Sequence, residues 1–225
     1  MEDEKAKIRI ALFIATAFTF LLWIVKIFEI LSKTELYFLG VYPRTLTGFF
    51  KIITSPLIHS DFSHLISNTS AIFVLCFFLF YVYFRTALKV FLIIYLMHGL
   101  IVWFIGRSSY HIGSSGLIYG FATYLFFMGV FRKDTASIAV ALLVTFLYGS
   151  IIWGVLPVDP HISFEAHLAG AIMGLICAII FRKSEPLPAK YDWEEESDND
   201  DVIQQQERNL ELLNSKDNNE KKLTD

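Results

Sequence analysis

The sequence predicts an all-α integral membrane protein built as a bundle of six transmembrane helices. Three observations carry that prediction. Of the 225 residues, 55% are hydrophobic, 16% aromatic and only 18% charged, a balance too apolar for an ordinary water-soluble domain. Six segments, approximately 8–31, 63–84, 87–105, 113–131, 136–155 and 163–182, come close to the length of about 20 mostly apolar residues that a helix needs to span a bilayer core. The charges are also segregated. Residues 184–225 hold 13 acidic and 5 basic side chains against 9 acidic and 14 basic in the rest, so a net charge of −3 conceals a basic membrane part and an acidic tail.

The N-terminus, Met1 to Arg9, mixes acids and bases ahead of the first apolar run and has no small-residue cleavage site after a short hydrophobic region. It reads as an uncleaved first span. The connection 32–62 carries Pro43, Gly48 and Pro56 among apolar and basic residues, which suits a structured loop lying partly in the interface as a lid or a brace. Arg85-Thr86 and Arg132-Lys133-Asp134 are tight polar turns, which makes the second and third spans, and the fourth and fifth, antiparallel neighbours. Cys76 and Cys177 lie inside apolar runs, where cysteine behaves as a small hydrophobe, and imply neither a disulfide framework nor a zinc site.

The membrane core is thus expected over 1–182. After Pro186 and Pro188 the chain turns rich in Asp, Glu, Asn and Gln, predicting a mostly disordered, cytoplasmic acidic tail over 183–225, with a short helix near 202–213 and no part in catalysis. With both termini cytoplasmic, inside segments hold Lys5, Lys7, Arg9, Arg85, Lys89, Arg132, Lys133, Arg182, Lys183 and Lys190. Outside segments then hold only Lys33, Arg44, Lys51 and Arg107, so the positive-inside bias selects this orientation.

Polar side chains inside spans are costly, and here they gather at one depth. The second, fourth and sixth spans all run from outside to inside. They open respectively with His59 to Asn68, with Gly113-Ser114-Ser115-Gly116, and with Glu165-Ala166-His167. At about 1.5 Å rise per residue these positions lie only several Å below the outer surface, where one water-accessible pocket accommodates them all. His64 and Asn68 are four apart and share a helical face.

Starting the fourth span at Ser115 leaves 17 residues to Phe131, so the preceding 106–114 stretch dips into the protein and Ser115 becomes a helix N-terminus. Its backbone N–H then has no intrahelical partner and is free for a developing oxyanion. Gly113 and Gly116 leave room for a substrate carbonyl to approach the backbone. Small residues at four-residue spacing, Gly116–Gly120 and Ala166–Gly170–Gly174, provide for close packing of the two helices and bring the Ser115 hydroxyl to the His167 imidazole. A serine hydroxyl needs such a base to act as a nucleophile near neutral pH. Glu165 faces elsewhere on its helix, and Asp61 and Asp159 are loop residues, so the arrangement predicts a dyad without a third carboxylate.

Together these residues resemble the rhomboid intramembrane proteases across the whole membrane core, from about 41 to 182. The family pattern of two histidines and an asparagine appears as His59, His64 and Asn68. Its Gly-x-Ser-Gly motif appears as Gly113-Ser114-Ser115-Gly116, followed by Tyr119, and its His-x-Ala-Gly-x-x-x-Gly motif as His167 to Gly170 and Gly174. The resemblance implies a six-helix rhomboid-like bundle in which Ser115 attacks the scissile carbonyl, His167 is the base and Tyr119 packs on the His167 ring. His64, Asn68 and the Ser115 N–H would form the oxyanion hole. The implied substrates are single-span membrane proteins cut in or near the bilayer, with no cofactor, metal or nucleic-acid partner. The compact form suggests a bacterial plasma membrane, with the site opening to the outer side. Where many members carry Trp-Arg in the first loop this chain has Tyr42-Pro43-Arg44, which is given no role.

Taken singly the motifs have plainer readings. His59 either stabilises the entrance of the second span or lines the site, His98 is a packed interhelical hydrogen-bonder, and His111 and His161 are exposed loop residues. The rival classes are a non-catalytic rhomboid-like protein that binds membrane segments, which would lack the Ser or His present here, and a small transporter with a midplane site. A metalloprotease would need His-Glu-x-x-His and an aspartyl protease paired intramembrane aspartates; neither pattern occurs.

Overall fold

The computed structural model describes residues 2–158 and 162–186, together with Gln205 and Arg208. Asp159, His161 and the tail beyond Pro186, including the predicted 202–213 helix, otherwise lie outside the described residues. The chain forms two compact units, Met1–Pro186 and Leu187–Asp225. In the second, Gln205 and Arg208 are helical and exposed.

Helix α1 spans Glu2–Ser32, and a connection containing the short helix α2 (Leu46–Phe50) leads to α3 (Phe62–Val82), α4 (Ala87–Ile105), α5 (Ser115–Arg132), α6 (Thr135–Tyr148) and α7 (Phe164–Phe181). Among the described residues the single β feature is an isolated antiparallel bridge between Val41 and His111. The helices α1, α3, α4, α7 and α6 with its extension to Val155 are long and apolar enough to cross a membrane. The remaining predicted span, α5, packs against α3, α4, α6 and α7. It carries Ser, Gly, Tyr and Thr because its neighbours are helices and not lipid.

Local chemistry sets the boundaries. The Asp61 carboxylate caps α3 by accepting from His64 N–H at 2.9 Å, and Asp134 caps α6 by accepting from Ser137 N–H at 3.0 Å. The predicted turn at 132–134 closes with Lys133 in the left-handed region (φ 60°), ending α5. The fifth predicted span differs from expectation. The α-helix stops at Tyr148, and Gly149–Val155 continues as a 3-10 helix. Two glycines weaken the helix there, and the carbonyls of Ile151 and Gly154 take partners from the neighbouring helices instead.

The long connection is a brace. Arg44 donates to the carbonyls of Phe104 (3.3 Å) and Gly106 (2.8 Å), Trp103 Nε1 donates to Thr45 O (2.8 Å), and Tyr95 OH donates to Ile53 O (2.6 Å). These bonds tie the loop to α4 while Leu46, Phe50 and Ile53 stay exposed.

Helices α5 and α7 meet backbone to backbone. A Cβ on Gly170 would overlap the Gly116 carbonyl, and one on Gly174 the Gly120 carbonyl. Gly116 in turn seats against the buried His98 ring, whose Nδ1 lies 2.8 Å from Ile94 O. Cys76 and Cys177 are buried and unpaired in the core around these helices.

Candidate active site

Ser115 is the first residue of α5, so its backbone N–H precedes the first intrahelical acceptor. Its hydroxyl lies 2.8 Å from His167 Nε2, a contact that crosses from α5 to α7. On the other side of the ring His167 Nδ1 is 2.8 Å from the carbonyl oxygen of Gly154. A carbonyl only accepts, so the proton of neutral His167 sits on Nδ1 and Nε2 is left to accept from the Ser115 hydroxyl. The Tyr119 ring stacks on the imidazole with centroids 4.1 Å apart and planes within 9°, and the Tyr119 hydroxyl donates to Ile151 O. Backbone carbonyls therefore do the orienting that a carboxylate does in a triad.

Asn68 and His64 face the same space from α3. Asn68 is buried, and its Nδ2 has no hydrogen-bond partner among the described residues, an amide donor left without an acceptor. Gly113 adopts φ +103°, and a Cβ there would sit 2.9 Å from His64 Nε2 and 3.7 Å from Asn68 Nδ2. The Gly113 N–H is already bonded to Ser55 O (3.0 Å), so Gly113 has no free donor for a ligand, and its lack of a Cβ is what leaves room for the His64 ring.

The Ser60 hydroxyl donates to Asp61 Oδ2 at 2.7 Å and lies 3.3 Å from His64 Nδ1. His64 donates from Nε2 when that hydroxyl turns to Nδ1 or when the ring is protonated. His59 is buried, packs edge-on against His64 with centroids 5.0 Å apart, and lies 3.4 Å from the Ser114 hydroxyl through Nε2. It supports the site from behind and is absent from the cavity wall. Burial, with His64 beside it, pushes its pKa down to about 4.

Ser115, His167, His64 and Asn68 line one cavity of about 460 Å³ whose remaining wall includes Arg107 and Tyr110. The structure thus brings together Ser115, His167, Tyr119, His64, Asn68 and Gly113, with Gly116 and Gly170 as the close contact beneath them.

A family model described as a Rhomboid domain matches residues 47–184. The chain belongs to the rhomboid family. Among its relatives, an uncharacterized protein of Mycobacterium bovis and one of Mycobacterium tuberculosis are each 32% identical over 177 residues, covering 75% of this chain and 74% of theirs. An uncharacterized protein of Mycobacterium leprae is 30% identical over 177 residues, covering 75% of this chain and 70% of its own. Membership and the apolar helices make this a multi-pass membrane protein.

Within this rhomboid fold, one further sequence expectation needs amendment, and two features of the site were not foreseen. His111, expected on an exposed loop, is buried (4% exposed), because its ring lies between Arg107 O and Ser163 Oγ and its backbone bridges Val41. The Gly154 and Ile151 carbonyls were not foreseen, since a backbone acceptor leaves no mark in side-chain spacing. The pair Lys26 and Glu29 in the first span was also passed over. Lys26 Nζ lies 2.7 Å from Glu29 Oε2 and donates to the carbonyls of His59 and Ser60, each at 3.0 Å. Opposite charges three residues apart inside an apolar run were the available signal.

Proposed function

We propose that this protein is an intramembrane serine endopeptidase that hydrolyses peptide bonds in or near the transmembrane segments of single-span membrane proteins. The observation that carries the proposal is the 2.8 Å contact between Ser115 Oγ and a His167 ring whose other nitrogen is held on Gly154 O. As Ser115 Oγ bonds to the substrate carbonyl carbon, its proton passes to His167 Nε2 and the carbonyl becomes a tetrahedral oxyanion. Donors to that oxygen are the Ser115 N–H, the unpartnered Asn68 amide and His64 Nε2. Collapse breaks the C–N bond, His167 returns the proton to the leaving amine, and an acyl-Ser115 remains. Water then attacks with His167 as base again, releasing the carboxylic acid.

The site requires neither metal nor cofactor for these steps. The cavity mouth is built from loop residues at the ends of α3, α5 and α7 opposite the basic turns at 85–89 and 132–133. The positive-inside bias then puts both termini in the cytoplasm and the mouth outside, in keeping with a bacterial plasma membrane.

The test is fluorophosphonate labelling of the purified chain, alongside incubation with a single-span substrate read by gel and mass spectrometry. The expected result is labelling and cleavage by the wild type and neither by Ser115→Ala. Persistent labelling of Ser115→Ala refutes the nucleophile. A wild type that binds the substrate but neither labels nor cuts it identifies a non-catalytic binder. Asn68→Ala and His64→Ala are expected to lower turnover by roughly 10²–10³-fold, the cost of one oxyanion donor.

A further inference from the structure

Ser115 and His167 belong to different elements. The glycine contacts seat Gly170 and Gly174 of α7 on the Gly116 and Gly120 carbonyls and set how closely the two helices approach, but they do not hold the 106–114 loop that leads into Ser115. That loop is held at the helix ends, where two buried titratable groups that the proposed chemistry leaves idle, Glu165 and His111, lie.

We infer that Ser163, His111 and Glu165 are positioning residues that set the spacing between Ser115 and His167 by tying the 106–114 loop to the first turn of α7. The inference rests on the serine-protease reading of the site. The Ser163 hydroxyl is the junction. It caps α7 by accepting from Ala166 N–H at 3.3 Å, and it lies 2.6 Å from His111 Nδ1. His111 Nε2 is 3.1 Å from the Arg107 carbonyl, which only accepts, so the His111 proton is on Nε2 and Nδ1 is bare. The one Ser163 proton therefore goes to His111, and Glu165 Oε2, at 3.5 Å, is the more distant alternative.

His111 is itself fixed, because its N–H and carbonyl bond Val41 at 2.9 and 3.0 Å. Burial lowers its pKa, which keeps the ring in the neutral form whose Nδ1 accepts. The start of the same loop is tied in parallel. Arg107 N–H donates to Glu165 Oε1 at 3.3 Å, its Nε lies 3.7 Å from that oxygen, and its Nη2 donates to Ile162 O at 2.6 Å. The loop is thus bound at Arg107 and His111 to residues 162–165, just ahead of His167, and the bound stretch leads into Gly113 and Ser115.

The experiment uses the full chain in detergent, with Ser163→Ala, Ser163→Gly and Ser163→Thr. It reads the fluorophosphonate labelling rate together with kcat and KM on a single-span substrate. Glycine caps a helix nearly as well as serine, so Ser163→Gly removes the junction while leaving the start of α7 nearly as well capped. It therefore decides the matter if Ser163→Ala fails to fold.

The expected result is a fall of about 10- to 100-fold in labelling rate and kcat for Ser163→Ala and Ser163→Gly with KM unchanged, the scale set by a misplacement of up to 1 Å. Ser163→Thr, which keeps the hydroxyl, should restore most of the rate. Wild-type kcat in a folded Ser163→Gly, a loss confined to KM, or no recovery with Ser163→Thr overturns the inference and leaves the protease reading intact. A wild type that neither labels nor cuts overturns both.

Discussion

The pair α5–α7 and the 3-10 extension of α6 meet at the same imidazole, yet they are built to opposite rules. Gly116, Gly120, Gly170 and Gly174 put α5 and α7 in backbone contact, where a carbon added at Gly170 or Gly174 collides with the α5 main chain and one added at Gly116 or Gly120 with the His98 or Ile94 side chain of α4. Helix α6 buries only Ser137, Val140, Ala141 and Val144. Beyond them it diverges from α5 around an apolar gap of about 360 Å³ lined by residues such as Ala122, Phe126, Val144 and Ile152. Its 3-10 extension, with Phe146, Ile152 and Trp153 exposed nearby, reaches the site through the Ile151 and Gly154 carbonyls. The distance from Ser115 to His167 is governed by the tightly packed pair together with the loop tied at its outer end, and the orientation of the His167 ring by the loosely attached extension. The two are therefore separable by mutation.

The largest expected effect comes from breaking the tight pair. In Gly170→Ala the new methyl overlaps the Gly116 carbonyl, so the helices must part. We expect fluorophosphonate labelling to fall by at least about 10²-fold, with about 1–3 kcal/mol of destabilisation in thermal unfolding. Wild-type rates in this variant would erase the distinction between the two regions. Gly154→Ala tests the loose side. Its methyl meets the Tyr119 hydroxyl and comes within 3.1 Å of His167 Nδ1, but α6 has room to yield. The expected loss in kcat is about tenfold, below the 10²-fold of a full 1 Å misplacement, with a smaller fall in melting temperature than Gly170→Ala.

A third measurement lies in neither region. His59, whose pKa falls from 6.5 to about 4 on burial, takes up a proton more readily unfolded than folded. Its neutral burial is fully compatible with folding above about 6.5, and stability is lost as pH drops from there towards about 4. Melting temperatures across that window should slope less in His59→Asn. The smallest effect is at the opposite end of the bundle. Glu185 Oε1 accepts from Thr86 N–H and Oγ1, both at 2.7 Å, and Arg132 Nη1 donates to Glu185 O at 2.9 Å. A chain ending at Pro186 should match the full chain in activity and melting temperature. One ending at Ser184 should melt lower yet keep its labelling rate, since the Ser115–His167 pair is untouched.

What the sequence made legible follows from what leaves a pattern in side chains. Ser115, His167, His64, Asn68 and Tyr119 stand at spacings that a helix converts into a shared face, and the glycine stripes announce where two helices close. The spans were visible for the same reason, including α5, whose polar residues reflect its central place. The end of α6 was not legible, because whether Gly149–Val155 continues as an α-helix depends on partners for its carbonyls that other helices provide. Nor was the burial of His111, which depends on Val41 pairing with it from 70 positions earlier in the chain.

Lys26 gives α1 a significance that the family match does not convey. The matched stretch is 47–184, and α1 lies ahead of it. Yet the Lys26 ammonium, almost wholly buried beside Glu29, bonds the carbonyls of His59 and Ser60, the residues that lead into α3 and its His64 and Asn68. A charge withdrawn from water in this way is tolerable only when those oxygens receive it. Helix α1 and the entrance of α3 must accordingly assemble together, and the unit that folds as one is larger than the stretch the family model matches: a chimera exchanging 47–184 between relatives would have to carry the matching first helix with it.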